Sequence, residues 1–235
     1  MLSKAEIKQI RSLKEKKFRD EYDRFVVEGE KLVGEALSSG FRVLSVYRKE
    51  EIGEDDMSRI SMLSSPSPVL AVVEKPRQGA SEEIGEGLYL GLDAVRDPGN
   101  MGTILRLADW FGVKTVFASS DCAEVYNPKV VQASMGSIFR VHTVYCDLPA
   151  VCRRFRSAGM PVCGTYLDGE DIYSEDLPRA GLIVMGNEGA GIGADTGAQV
   201  SVRLTIPSFS EGKTAESLNV ASATAIVLSE FRRRI

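Results

Sequence analysis

From Leu88 onward, short apolar runs alternate with segments of helical periodicity, and this alternation limits the possible folds more than any other feature of the chain. The runs are LYLGL at 88–92, TVFAS at 115–119, VHTVY at 141–145, PVCGTY at 161–166, LIVM at 182–185 and VRLTI at 202–206. Helices are expected after Pro98-Gly99, near 128–137, near 148–158 and in a last segment reaching Arg234. Runs this short and this uniformly apolar suit strands buried on both faces, and strand-helix-strand order calls for a parallel sheet covered by helices. Ligands of such sheets sit beyond the carboxyl ends of the strands.

The segment before Leu88 reads as a smaller α/β unit over 1–75. A basic helix leads into a strand at Phe25-Val26-Val27, and EGEKLVGEALSSG at 28–40 predicts a helix with Leu32, Val33, Ala36 and Leu37 on one face. Strands follow at 43–47 and 69–73, separated by a polar stretch to Ser67. Residues 76–87, PRQGASEEIGEG, have turn-forming residues and no apolar periodicity, so they read as a linker that leaves the orientation of the first unit open. The second unit is then 88–235.

Several function classes are disfavoured. No apolar stretch approaches the roughly 20 residues of a bilayer helix, and the charged start, MLSKAEIKQIRSLKEKK, lacks the apolar core of a signal peptide. A cytoplasmic protein with no membrane association is expected. Cys122, Cys146, Cys152 and Cys163 have neither metal-ligand spacing nor a histidine cluster, so no zinc site or disulfide framework is expected. The one histidine, His142, falls in a strand, as a core or edge residue, which leaves no histidine-activated nucleophile. The net charge of −4 argues weakly against nucleic acid. Its distribution argues the other way: Lys4, Lys8, Arg11, Lys14, Lys16, Lys17, Arg19 and Arg24 crowd the first two dozen residues, and Arg232-Arg233-Arg234 end the chain. These charges either meet phosphates or solvate one helix and complement the dipole of another.

Three glycine-bearing loops follow strands and can therefore converge. In DPGNMGTILR at 97–106, Pro98-Gly99 predicts a turn, Asn100 the cap of a helix, and Ile104, Leu105, Ala108 and Phe111 its buried stripe. Capping and packing leave Arg106 unexplained. It lies within two turns of the helix start, where an anion would be held. Trp110 reads as a packing or interface residue. In MGNEGAG at 185–191, glycines permit close backbone approach to a ligand, and Glu188 between them offers a carboxylate to a ligand donor or an arginine. The spacing is neither a dinucleotide fingerprint nor a phosphate loop. The third loop runs from Ile206-Pro207 to Ser217-Leu218-Asn219, with Ser217 or Asn219 placed to cap the last helix.

Together the three loops resemble the SpoU/TrmH family of RNA ribose 2′-O-methyltransferases, within the SPOUT class. The first motif is matched by Asn100, Gly102 and Arg106, the second by Gly186 and Glu188 in GNEGAGI, and the third by Ile206-Pro207 with Ser217-Leu218-Asn219-Val220. NPKVVQASMGSIFRV at 127–141 is similar too, so the resemblance covers roughly 88–235, and 1–75 resembles more loosely the family's substrate-binding domain. The resemblance implies a parallel sheet with a deep trefoil knot, S-adenosyl-L-methionine held by backbone of the knotted loops, and a homodimer. Gly186, Ile206 and Leu218 would touch the cofactor. Asn100, Arg106, Glu188, Ser217 and Asn219 would line the reaction centre, with structured RNA as substrate, ribosomal ahead of transfer RNA. A guanidinium is a poor proton acceptor, so Arg106 would hold the adjacent phosphate and favour the alkoxide while Ser217, Asn219 or solvent relays the proton. Two departures from the family are the longer SFSEGKTAE at 208–216 and Ala221 in place of a common serine. The rival readings are a non-catalytic RNA-binding protein that kept the fold and a methyltransferase acting on a base nitrogen.

Overall fold

The structure is a computed structural model that describes residues 1–76, 84–212 and 215–233; part of the expected linker therefore lies outside the described residues. The first unit begins with α1 (Lys4–Ser12), closed by a Ser3/Glu6 capping box, and α2 (Lys16–Tyr22). The single expected basic helix is thus two helices. Next come β1 (Arg24–Glu28), α3 (Glu30–Ser38), β2 (Val43–Arg48), α4 (Lys49–Ile52), α5 (Glu54–Ile60) and β3 (Val69–Glu74). The polar stretch before Ser67 therefore holds two short helices that its apolar content did not announce. The antiparallel sheet, in order β1-β3-β2, is covered on both faces. Val26, Leu70 and Val72 pack against Ile7, Ile10, Met57 and Ile60 of α1 and α5. Phe25, Val27, Ala71 and Val73 face Leu32, Val33 and Ala36 of α3. Two covered faces explain why FVV and VLAVV are apolar without alternation. Leu37, expected on the buried face, is 55% exposed.

The second unit contains β4 (Leu88–Leu92), α6 (Pro98–Trp110), β5 (Thr115–Ser119), α7 (Pro128–Ser134), β6 (His142–Cys146) and α8 (Leu148–Ser157). It continues with β7 (Val162–Asp171), β8 (Gly181–Met185), α9 (Ala194–Gly197), β9 (Val202–Thr205) and α10 (Val220–Arg233). All six strands are parallel, in order β6-β5-β4-β8-β7-β9, so the fold class is α/β as expected. The ends of β4 and β8 are adjacent in the middle of the sheet. One face packs Phe117, Leu182 and Val184 on Val151, Cys152 and Phe155 of α8. The other packs Leu90, Val116 and Ile183 beneath α6, α7 and α10. Strand β7 carries a bulge: Thr165 and Glu170 both pair with Leu204, which leaves Tyr166 to Gly169 standing off the ladder. The helix expected near 128–137 stops at Ser134, because Met135 (φ 51°) and Gly136 (φ 99°) turn left-handed.

The two units share one core. Phe25 lies 4.6 Å from Tyr126 and Phe41 lies 5.1 Å from Phe139, ring centre to ring centre. Arg19, grouped by sequence with residues that could meet phosphates, is 1% exposed. Its guanidinium donates to the carbonyls of Leu13 and Lys14, each at 2.8 Å, and pairs with Glu124 at 2.6 Å. Arg140 joins Glu35 of α3 to Asp109 of α6, and Gln132 of α7 donates to the Glu28 carbonyl at 2.9 Å. Orientation is set by this interface, whatever the linker's composition.

Candidate active site

Helix α6 begins three residues earlier than the sequence suggested, which had Asn100 as its cap. Asp97 is its cap, accepting the Asn100 N–H at 2.8 Å, and Pro98 fills the first helical position, where its fixed φ and missing N–H cost nothing. Asn100 is therefore inside the first turn and its side chain is not used for capping. Its Nδ2 donates to Glu188 Oε1 at 2.5 Å, and its Oδ1 accepts from Asn219 Nδ2 at 2.9 Å. Asn219 is the cap of α10, as expected, its Oδ1 accepting from the N–H groups of Ala221 and Ser222 at 3.0 and 3.2 Å. Every bond has a definite direction. The helix N–H groups can only donate, so Asn219 Oδ1 accepts, Asn219 Nδ2 donates to Asn100 Oδ1, and Asn100 Nδ2 is the atom left to donate to Glu188.

The loop after β8 is held by Asn187, which sequence reasoning missed although an asparagine among glycines is a standard self-capping residue. Its Oδ1 accepts from Gly189 and Ala190, both at 3.0 Å, and its backbone pairs with Gly191. Its Nδ2 reaches the Ala94 carbonyl at 2.9 Å and so joins this loop to the one after β4. Ala94 has φ 56°, a left-handed conformation that a β-carbon disfavours and that the bonds to Asn187 and Ser119 hold. Gly186 is required because a β-carbon there would lie 2.3 Å from the Gly191 carbonyl carbon.

A cavity of about 400 Å³ opens beside this loop, of a size common for small-molecule sites. Gly186, Glu188, Ile206, Ser217 and Leu218 all line it, and Asn100 and Asn219 adjoin it through the bond to Glu188. The bulge of β7 forms the opposite wall with Tyr166, Leu167 and Asp168. Arg203 braces that wall, its guanidinium 3.5 Å from the Tyr166 ring centre and 2.7 Å from the Asp168 carboxylate. The described lining contains two carboxylates, Asp168 and Glu188, and no lysine, arginine or histidine. Such a donor set suits a ligand with positive charge and an apolar ring and offers nothing to a polyphosphate. Leu167 and Leu218, 78% and 48% exposed, are apolar walls awaiting such a surface.

Arg106 is not gathered into this cavity. It is exposed on α6 with no ion pair among the described residues, and it lines a separate groove of about 740 Å³ between α6 and α10. Trp110, Phe111, Tyr173 and Ile226 share that groove, and Trp110 is 84% exposed, so the described residues cover little of its ring.

Other nucleophile chemistry finds no support. Burial pushes the Cys146 thiol up to about 11 and those of Cys152 and Cys163 up to about 12, which keeps them protonated and inert. His142 is exposed at the start of β6, an edge strand. The carboxyl-terminal arginines are engaged internally, Arg232 with the Phe111 and Gly112 carbonyls and Arg233 with Glu230. Arg234 lies outside the described residues. Lys4, Lys8 and Arg11 remain exposed along α1.

Comparison with known proteins shows what the whole chain is similar to. Residues 87–229 match the SpoU rRNA Methylase family, and residues 4–83 match an MRM3-like substrate binding domain. The chain is 32% identical to the 23S rRNA (guanosine(2553)-2′-O)-methyltransferase RlmP of Bacillus subtilis, over 96% of this chain and 95% of that one. A putative RNA methyltransferase of the TrmH family from Porphyromonas gingivalis superposes with a TM-score of 0.89 at 42% identity, covering 100% of both chains. An AdoMet-bound rRNA methyltransferase from Sinorhizobium meliloti gives 0.87 at 32% identity, covering 100% of this chain and 97% of that one.

Proposed function

Because the chain belongs to the SpoU rRNA methylase family, we propose that the cavity beside the β8 loop is its S-adenosylmethionine site and that Asn100, Arg106, Glu188, Ser217 and Asn219 serve the transfer. The protein is an S-adenosylmethionine-dependent ribosomal RNA 2′-O-methyltransferase. The observation that carries the site assignment is the directed relay from the start of α10 through Asn219 and Asn100 to Glu188, which ties all three motif loops to one cavity.

The lining fits the cofactor: backbone around Gly186, Ile206 and Leu218 offers hydrogen bonds to an adenosine, and the two carboxylates suit a cation. When bound, S-adenosylmethionine supplies an electrophilic methyl group on a sulfonium sulfur. The chain must hold the ribose in line with that methyl and ease loss of the hydroxyl proton. Each asparagine amide uses one of its two N–H groups in the relay and keeps the other for a ribose or phosphate oxygen. Ser217, exposed at the cavity, relays the hydroxyl proton to solvent. Arg106, on the separate groove between α6 and α10, acts across the dimer interface, where its guanidinium holds the phosphate next to the ribose that reacts in the other copy's cavity.

Residues 1–75 form the RNA-substrate domain, joined by 76–87 to the transfer domain 88–235. A second copy of the chain covers the groove at Trp110 and makes a homodimer in which Arg106 lies at the interface. The transfer domain carries a deep trefoil knot, as membership of the family implies. Among the described residues no helix is long and apolar enough to cross a membrane.

Arg106→Ala tests the assignment. Calorimetry should show S-adenosylmethionine and S-adenosylhomocysteine binding unchanged, while methyl transfer falls by at least a hundredfold and nuclease-resistant methylated dinucleotides vanish from the digest. Equal loss of binding and transfer would refute the role given to Arg106.

A further inference from the structure

The loop that joins two walls of the cavity carries an exposed aromatic ring. Leu167 and Leu218 are exposed but line the cavity, and Trp110 and Tyr173 are exposed but line the groove between α6 and α10. Phe209 lines neither and is 85% exposed. It sits in the loop whose two ends, Ile206 and Ser217-Leu218, are both walls of the cavity. Three residues from Ile206, it lies within about 11 Å of that wall by chain reach. The Ser210 N–H donates to Ser208 Oγ at 3.4 Å, closing a small turn with Phe209 at its apex.

We propose that Phe209 is a stacking platform for an unpaired RNA base beside the methylated ribose. This rests on the methyltransferase reading and extends it to the form of the substrate: a nucleotide displaced from helical stacking, as in a loop or bulge. A ribose held in a stacked A-form helix presents its 2′-hydroxyl on a shallow surface, whereas the cavity is concave, so the nucleotide must leave the stack to reach it. The base beside it then loses a neighbour, and an aromatic face replaces that neighbour with little regard to base identity.

The experiment compares wild type with Phe209→Ala, Phe209→Leu, Phe209→Tyr and Phe209→Trp, using a mixture of 16S and 23S ribosomal RNA transcribed in vitro and tritiated S-adenosylmethionine. The ring is solvent-exposed, so all four variants should fold. We expect kcat/KM for RNA to fall roughly tenfold or more in the alanine and leucine variants and to be kept by tyrosine and tryptophan. Cofactor affinity should not change, and neither should the slope of RNA affinity against salt, because no phosphate contact is lost. Unchanged kcat/KM in the alanine variant, or leucine performing as well as tryptophan, would overturn the proposal. Loss of cofactor affinity would make the residue a cover for the cofactor, and dissociation into monomers would make it an interface residue; either would also overturn it. Wild-type protein that transfers no methyl to either RNA would refute the underlying reading and the inference with it.

Discussion

Two glycines of the same loop should respond oppositely to the same methyl group. At Gly186 an added β-carbon would lie 2.3 Å from the Gly191 carbonyl carbon, 2.5 Å from the Ile192 nitrogen and 2.6 Å from the Gly191 oxygen. All three are backbone atoms, and ordinary contact begins near 3.4 Å, so the chain at 191–192 must retreat by about 1 Å. Forced overpacking of this kind costs about 1–3 kcal/mol of stability. The same retreat opens the Asn187–Gly191 pairing and moves Glu188 away from Asn100, and a displacement of about 1 Å in a catalytic group costs roughly a hundredfold in rate. At Gly189 the β-carbon meets only Asn187 Oδ1 at 3.7 Å, and the residue is not in the left-handed region. Gly189→Ala should therefore stay within about 0.5 kcal/mol of wild type, or gain slightly by restricting the unfolded chain. Calorimetric titration with S-adenosylmethionine, urea unfolding and methyl transfer on the same preparations separate the two cases. If Gly186→Ala bound the cofactor within threefold of wild type, or if Gly189→Ala lost binding alongside it, the steric argument for this loop would be wrong.

If the groove at Trp110 is the proposed dimer contact, Trp110→Arg should yield monomers by placing a charge in it, which sedimentation velocity would report; a mass unchanged from that of a dimeric wild type, or a monomeric wild type, would remove the groove from consideration. Arg19→Met should cost about 3–5 kcal/mol, because it leaves Glu124 and two backbone carbonyls in the interface without their donor. That is a fall in Tm on the order of 10 °C for a chain of this size, and a loss below about 1 kcal/mol in urea unfolding would contradict it. Burial raises the Glu28 carboxyl above its usual value of 4.5, against the opposing bonds from Ser61 and Met62. The folded state therefore holds that proton more tightly than the unfolded state does. The resulting stabilisation is fully present below 4.5 and is lost as pH rises through the folded value. Wild type should accordingly lose stability relative to Glu28→Gln over that window, and a pH-independent difference between the two would refute the sign.

Much of the architecture could be read locally. Apolar runs buried on both faces give the same unbroken pattern wherever they lie, so the six parallel strands from Leu88 to Thr205 were legible from their own residues. So were the glycine loops and the Asn219 cap, since capping depends on residues two or three positions apart. The local reading failed at α6 for a nearby reason: Asp97 before Pro98 is a better start than Asn100 after it, and both residues have capping side chains. It failed between Lys49 and Ile60 because two short helices bury too few residues to show a period.

The resemblance of three motifs named the candidate residues, and folding then sorted them. Asn100 meets Glu188 across 88 positions of sequence and Asn219 across 119, and contacts of that range have no local signature. The same holds for Arg19, one basic residue among many by sequence, which is withdrawn from solvent because Glu124 lies 105 positions away. Arg106 went the other way, kept out of the cavity by the face of α6 it occupies and turned toward the groove at Trp110. Sequence determined which elements form and which chemistry they carry, because propensity, periodicity and capping act over a few residues. Only the tertiary structure decided which of those groups share a cavity, which are buried in pairs and how the two units face each other, because those outcomes depend on packing between distant segments.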